Sequence, residues 1–83
     1  MEIGISRNDD EATVDFAVHD VHPLAAAKRA EAALGVRRDV PIAEIGTEVA
    51  RLRAAGHRVT ATGSAMRRLA AAGADLTGVE RPQ

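Results

Sequence analysis

One phrase occurs twice in this chain. Residues 51–60 read Arg-Leu-Arg-Ala-Ala-Gly-His-Arg-Val-Thr and residues 68–77 read Arg-Leu-Ala-Ala-Ala-Gly-Ala-Asp-Leu-Thr, identical at six of ten positions. Each copy reads as the end of a helix, a glycine that caps it, and a short strand. Two such passages in succession, joined by Thr60-Ala61-Thr62-Gly63-Ser64, predict a β-α-β unit with parallel strands. That unit confines the fold to a sheet with helices packed on it. It also singles out the turn at 60–64, where a strand feeds a helix.

The N-terminal third reads differently. Ile3 and Ile5 share one face of a strand over Glu2–Ser6. Residues 12–19 alternate, with Val14, Phe16 and Val18 on one side and Thr13, Asp15 and Ala17 on the other. The polar run Arg7-Asn8-Asp9-Asp10-Glu11 joins them, so an antiparallel hairpin with one buried face is expected. Pro23 then opens a helix with a narrow apolar stripe of Leu24, Ala27, Ala30, Ala33 and Leu34, with Lys28, Arg29 and Glu31 outside and Gly35 as cap. A second helix is expected from Asp39-Val40-Pro41 onward, with Ile42, Ile45, Val49 and Leu52 inward. Gly46 within it marks a close approach. A third helix over 65–72 and a final short strand over Leu76–Val79 complete an α+β (or α/β) domain spanning 1–83: hairpin, two helices, then strand–helix–strand in one small sheet.

The core of such a domain is thin. Eighteen residues are alanine and Phe16 is the only aromatic, and an alanine methyl buries little apolar area. Without cysteine there is no disulfide to supplement it. A homo-oligomer or a protein partner is the expected supplement, with the sheet completed across the contact. Charge is split along the chain. Residues 1–35 carry three Lys/Arg against seven Asp/Glu, and residues 36–83 carry eight Arg against five Asp/Glu. The two halves attract each other within one chain or between two. No apolar run is long enough for a membrane span. The opening Met1-Glu2-Ile3 lacks the features of a signal peptide, so a cytoplasmic location is expected.

The turn at 60–64 carries the one legible site. Free N–H groups at a helix N-terminus, a glycine and hydroxyl side chains together suit an anion. Thr60, Thr62, Gly63 and Ser64 supply these, and Arg67 or Arg68 one turn on adds positive charge, with Arg67 the expected site residue. The plainer reading makes Ser64 an ordinary helix N-cap and Gly63 an ordinary turn residue. Here the stretch Val49–Ser64, with Leu69, Gly73 and Val79, resembles the methylglyoxal synthase-like domain. That family includes phosphate-ligand-binding and allosteric domains of nucleotide-biosynthesis enzymes, in which an Ala-Thr-Gly-Gly-Thr turn binds phosphate. The resemblance implies Thr62, Gly63 and Ser64 as phosphate contacts, with Ser64 in place of the second glycine and Ala65 in place of the threonine. Leu52–Val59 followed by Thr62-Gly63-Ser64 also looks like the opening of HicA-type RNA-cleaving toxins. Their catalytic histidine is Ala65 here, and a strand would replace the helix at 65–73.

Other chemistries find little footing. His19 and His22 lack the further ligands that a zinc site needs. Neither Ser6 nor Ser64 sits in a nucleophile elbow. No cofactor is implied, and the scarcity of aromatics removes a stacking platform for nucleic acid. The sequence therefore supports a small non-catalytic accessory or interaction protein. The alternatives are a module for a phosphorylated small molecule at the Thr-Gly-Ser turn, or an RNA-associated toxin- or antitoxin-like protein.

Overall fold

The computed structural model describes residues 1–82. In chain order it contains β1 (Glu2–Arg7), β2 (Thr13–Val18), α1 (Leu24–Leu34), β3 (Val40–Pro41), a 3-10 turn (Ile42–Glu44), α2 (Ile45–Ala54), β4 (Arg58–Thr60) and α3 (Gly63–Ala71). Strands and helices make one small α+β domain with a four-stranded sheet in the order β3-β2-β1-β4. No helix among the described residues is long and apolar enough to cross a membrane.

The hairpin forms as its alternation demands. Ile3 lies opposite Val18 and Ile5 opposite Phe16, so a single face collects Ile3, Ile5, Val14, Phe16 and Val18, all buried. Ile45, Val49 and Leu52 from α2 and Leu69 from α3 close over that face. β4 joins the far side of β1 in parallel, with Val59 beside Ile3.

Three local expectations are corrected. Val40 and Pro41 do not begin a helix; they form β3 against Thr13 and Val14. Asp39, at φ 56°, reverses the chain there, and an edge position suits Pro41, which has no N–H to donate. The helical stretch follows only from Ile42. The second copy of the repeated phrase also departs from the first. Asp75 occupies the place of Arg58, and its carboxylate accepts the Thr77 N–H at 3.0 Å, bending the backbone into a turn. Only a one-residue parallel bridge from Glu80 to Thr60 remains of the final strand. Gly46 accommodates this turn, since a Cβ there would lie 2.9–3.1 Å from Asp75 side-chain atoms.

The third correction concerns α1. Its buried residues are Ala27 and Glu31, while Leu24 is 67% exposed. Glu31 points inward because its carboxylate has donors to satisfy: the Val18 N–H at 3.1 Å and the Arg38 guanidinium at 3.1 Å. The Phe16 N–H is taken by the Arg37 carbonyl. On the opposite edge, Glu80 accepts from Ala61 and donates to Val59, both at 2.9 Å. The single chain thus closes both edges of its own sheet.

Arg51 ties the helices together. Its guanidinium meets the Glu48 carboxylate at 2.5 Å, the Gly35 carbonyl at 2.8 Å and the Leu34 carbonyl at 3.3 Å. The bond to Glu48 raises the Arg51 pKa. Glu48 itself is 3% exposed, so loss of that partner would leave its carboxylate buried without a countercharge. Arg51→Ala is expected to destabilise the protein by about 2–3 kcal/mol, discounted from a buried pair because the guanidinium is half-exposed; urea unfolding measures it. Asp75 gives a pH signature. Hydrogen bonding from the Thr77 side chain, then from its backbone N–H, holds the Asp75 carboxyl below the usual carboxylate range. Its contribution to stability is present above the unfolded-state value and is lost as pH falls through the depressed one. The Asp75 carboxyl resonance should titrate below the unfolded range, and Thr77→Ala, which removes the hydroxyl, should move it back up.

Candidate anion cleft

β1 and β4 run parallel, so their C-terminal ends lie together at one end of the sheet. From β4 the chain passes through buried Ala61 to Thr62, whose Oγ1 accepts the Ala65 N–H at 3.1 Å. Thr62 is therefore the N-cap of α3, a role the sequence offered to Ser64. Gly63 and Ser64 become the first residues of the helix, and their N–H groups have no acceptor within it.

An open cleft of about 310 Å³ lies where this helix start meets the end of β1. Ser6 and Arg7 come from β1, Thr62, Ser64 and Arg68 from the start of α3, and His19 from the residue after β2. Ile5 and Ala65 add apolar surface. His19 reaches the cleft for a definite reason. Its N–H bonds the Glu2 carbonyl at 3.1 Å, continuing the hairpin, so its side chain falls opposite to that of Val18. The ring then lies over Gly4, where any Cβ would overlap three imidazole atoms.

Not all of the residues chosen from sequence meet here. Thr62 and Ser64 line the cleft, and Gly63 is half-buried beside it. Thr60 is 1% exposed and paired with Gly4 inside the sheet. Arg67 points to the other flank of the helix start, with its Nη1 3.6 Å from where a Gly63 Cβ would sit and the Arg81 Cζ 3.8 Å from the same point. Arg68 takes the cleft position instead. Of the two arginines that the sequence offers, only Arg68 lines the cleft. Arg7 and His19 were missed because they lie more than forty residues away in sequence. The one available signal was Gly4, a glycine inside a strand.

The charge around this end is lopsided. Arg7 pairs with Glu11 at 3.1 Å. Among the described residues, no carboxylate lies within 4.0 Å of Arg67, Arg68 or Arg81. Their charge adds to the partial positive charge of the helix N-terminus. No group of three or more acidic or histidine side chains among the described residues is placed to hold a metal ion. Comparison of the chain with protein-family models, with characterised proteins and with solved structures returns no match.

Gly4→Ala tests the placement of His19. The imidazole is exposed and free to swing outward, so the substitution should change stability by less than about 1 kcal/mol while shifting the His19 ring resonances strongly. An unchanged His19 spectrum would place the ring elsewhere.

Proposed function

We propose that this protein is a non-catalytic binding module for a small phosphorylated anion. The observation that carries the reading is the convergence of Arg68, Arg7, His19 and Ser64 on the first turn of α3 in one cleft. The assembled groups are donors and cations, which together satisfy phosphate oxygens. The position outside the carboxyl ends of parallel strands, at the start of the following helix, is where open α/β sheets commonly take ligands.

The ligand body is constrained as well. Phe16, the only Phe, Trp or Tyr in the chain, is fully buried, so no phenyl, phenol or indole ring is exposed to stack on a base. That favours a compact phosphate ester over a single-stranded nucleic acid. The helix of α3 also occupies the residues where the toxin resemblance needs a strand. The phosphate-turn resemblance keeps Thr62, Gly63 and Ser64 in register with the helix start, and it supports the same reading.

Thermal melts at matched ionic strength test it. Inorganic phosphate and glycerol phosphate should stabilise the wild-type protein, by about 2.7 kcal/mol when present at a hundred times Kd. Arg68→Ala combined with Ser64→Ala should abolish the shift, whereas Arg67→Ala should retain most of it. Equal shifts in the wild type and the double variant would overturn the site, as would no shift with either phosphate compound.

A further inference from the structure

A second cleft, of about 300 Å³, lies beside the anion cleft and shares two of its walls, since Arg7 and Arg68 line both. Its other walls are largely hydrocarbon. Leu69, Ala71 and Ala72 come from the C-terminal half of α3 and its cap, and Ile42 from the 3-10 turn before α2. Residues three and four apart share a helix face, so Arg68, Ala71 and Ala72 stand in one row. Leu69, 4% exposed, anchors the helix beside that row to the core. Ile42 is fixed from the other side. Its N–H donates to the Ala12 carbonyl at 3.2 Å and holds the 3-10 turn against the hairpin loop. Ala71 and Ala72 are exposed, and their short side chains leave space that a longer residue would fill.

The charges of the two clefts differ. Arg68 has no carboxylate within 4.0 Å among the described residues, whereas Arg7 pairs with Glu11 at 3.1 Å. Glu11 lines only the second cleft. An anion is therefore favoured in the first and disfavoured in the second. Within the second, the two arginines and Glu11 are the only polar side chains, and Glu11 is already paired. Hydroxyl groups placed there would lose water and find little to replace it. A hydrocarbon chain would instead remove water from itself and from Ile42, Ala71 and Ala72. Size points the same way. Each cleft alone lies at the lower limit for a small-molecule site, and a ligand that occupies both has the usual room.

We infer that the two clefts form one site, whose ligand is a phosphate monoester of a short aliphatic alcohol. The phosphate lies at the start of α3, and the unhydroxylated chain runs over Ala71 and Ala72 toward Ile42. This rests on the anion-cleft reading and narrows it to one class of ester. Arg68 serves both ends, with its guanidinium for the phosphate and its apolar stem for the chain. From Arg68 to Ala72 the face extends about 6 Å along the helix axis, the reach of roughly five carbon atoms. Polyol phosphates and nucleotides fit less well, because their hydroxyls or bases would lie against an aliphatic wall.

Titration calorimetry on the full chain at matched ionic strength tests the inference. The ligands are inorganic phosphate, the methyl, propyl and pentyl phosphates, and glycerol phosphate. Each methylene added between methyl and pentyl should tighten binding about two- to fourfold. Propyl phosphate should bind about tenfold more tightly than glycerol phosphate, which has the same carbon count but carries hydroxyls. Ala71→Gln, which sets a neutral amide in the path of the chain, should bring the ratio of pentyl to methyl affinity close to one. If that variant does not fold, the same ratio is read on Ala72→Gln. Absence of binding by every phosphate compound would overturn the anion cleft and this inference with it. Phosphate binding with no gain along the series, or a gain that the glutamine leaves intact, would overturn the second cleft alone.

Discussion

The pairing register of β1 with β2 is the constraint on which the rest of this structure depends. Setting Ile5 against Phe16 puts every large apolar side chain of the hairpin on one face. A slip of one residue would instead bury Ser6 and Asp15. Because the chain has a single aromatic, Phe16 anchors an outsized share of the core, and α2 and α3 reach it with a handful of aliphatic side chains. The alanines contribute little: of eighteen, only Ala27 and Ala61 are buried. The fold is therefore concentrated in the hairpin and in the helices that cover it, and α1 lies outside that centre of gravity.

This arrangement explains which parts of the fold were legible. The hairpin, α2 and the Gly35 cap follow from local periodicity, and Gly35 does adopt the left-handed φ of 68°. Glu31 was placed outside because charge is read as exposure. Its burial depends on the Val18 N–H, an unpaired edge donor that becomes visible only once strand order is known. The final strand was overread because the repeated phrase hid one substitution. Aspartate in the place of arginine turns the backbone by bonding Thr77, and the same words then spell a turn.

The cleft shows the same division. Thr62, Gly63 and Ser64 are neighbours in sequence and could be grouped by eye. Arg7 and His19 arrive through pairing, β1 beside β4 and the end of β2 beside Glu2, and no local pattern announces that. Arg67 and Arg68 lie about 100° apart around the helix, and only Arg68 faces the cleft. Local signals located the turn; topology decided what surrounds it.

The arginines then divide by task. Arg38, Arg51 and Arg58 bond carboxylates from other elements or from their own helix, and through Arg38 and Arg58 the basic half of the sequence is tied to its acidic half within one chain. That consumes much of the charge asymmetry as internal fastening. Of the cations left without a carboxylate among the described residues, Lys28, Arg29 and Arg53 lie on α1 and α2, while Arg67, Arg68 and Arg81 gather about the first turn of α3, where the helix N-terminus is itself positive. Like charges placed together at a positive dipole are unfavourable in the empty protein and become favourable when an anion arrives between them. Among the described residues no carboxylate within 4.0 Å offsets this cluster, so its mutual repulsion is a cost that the rest of the fold carries.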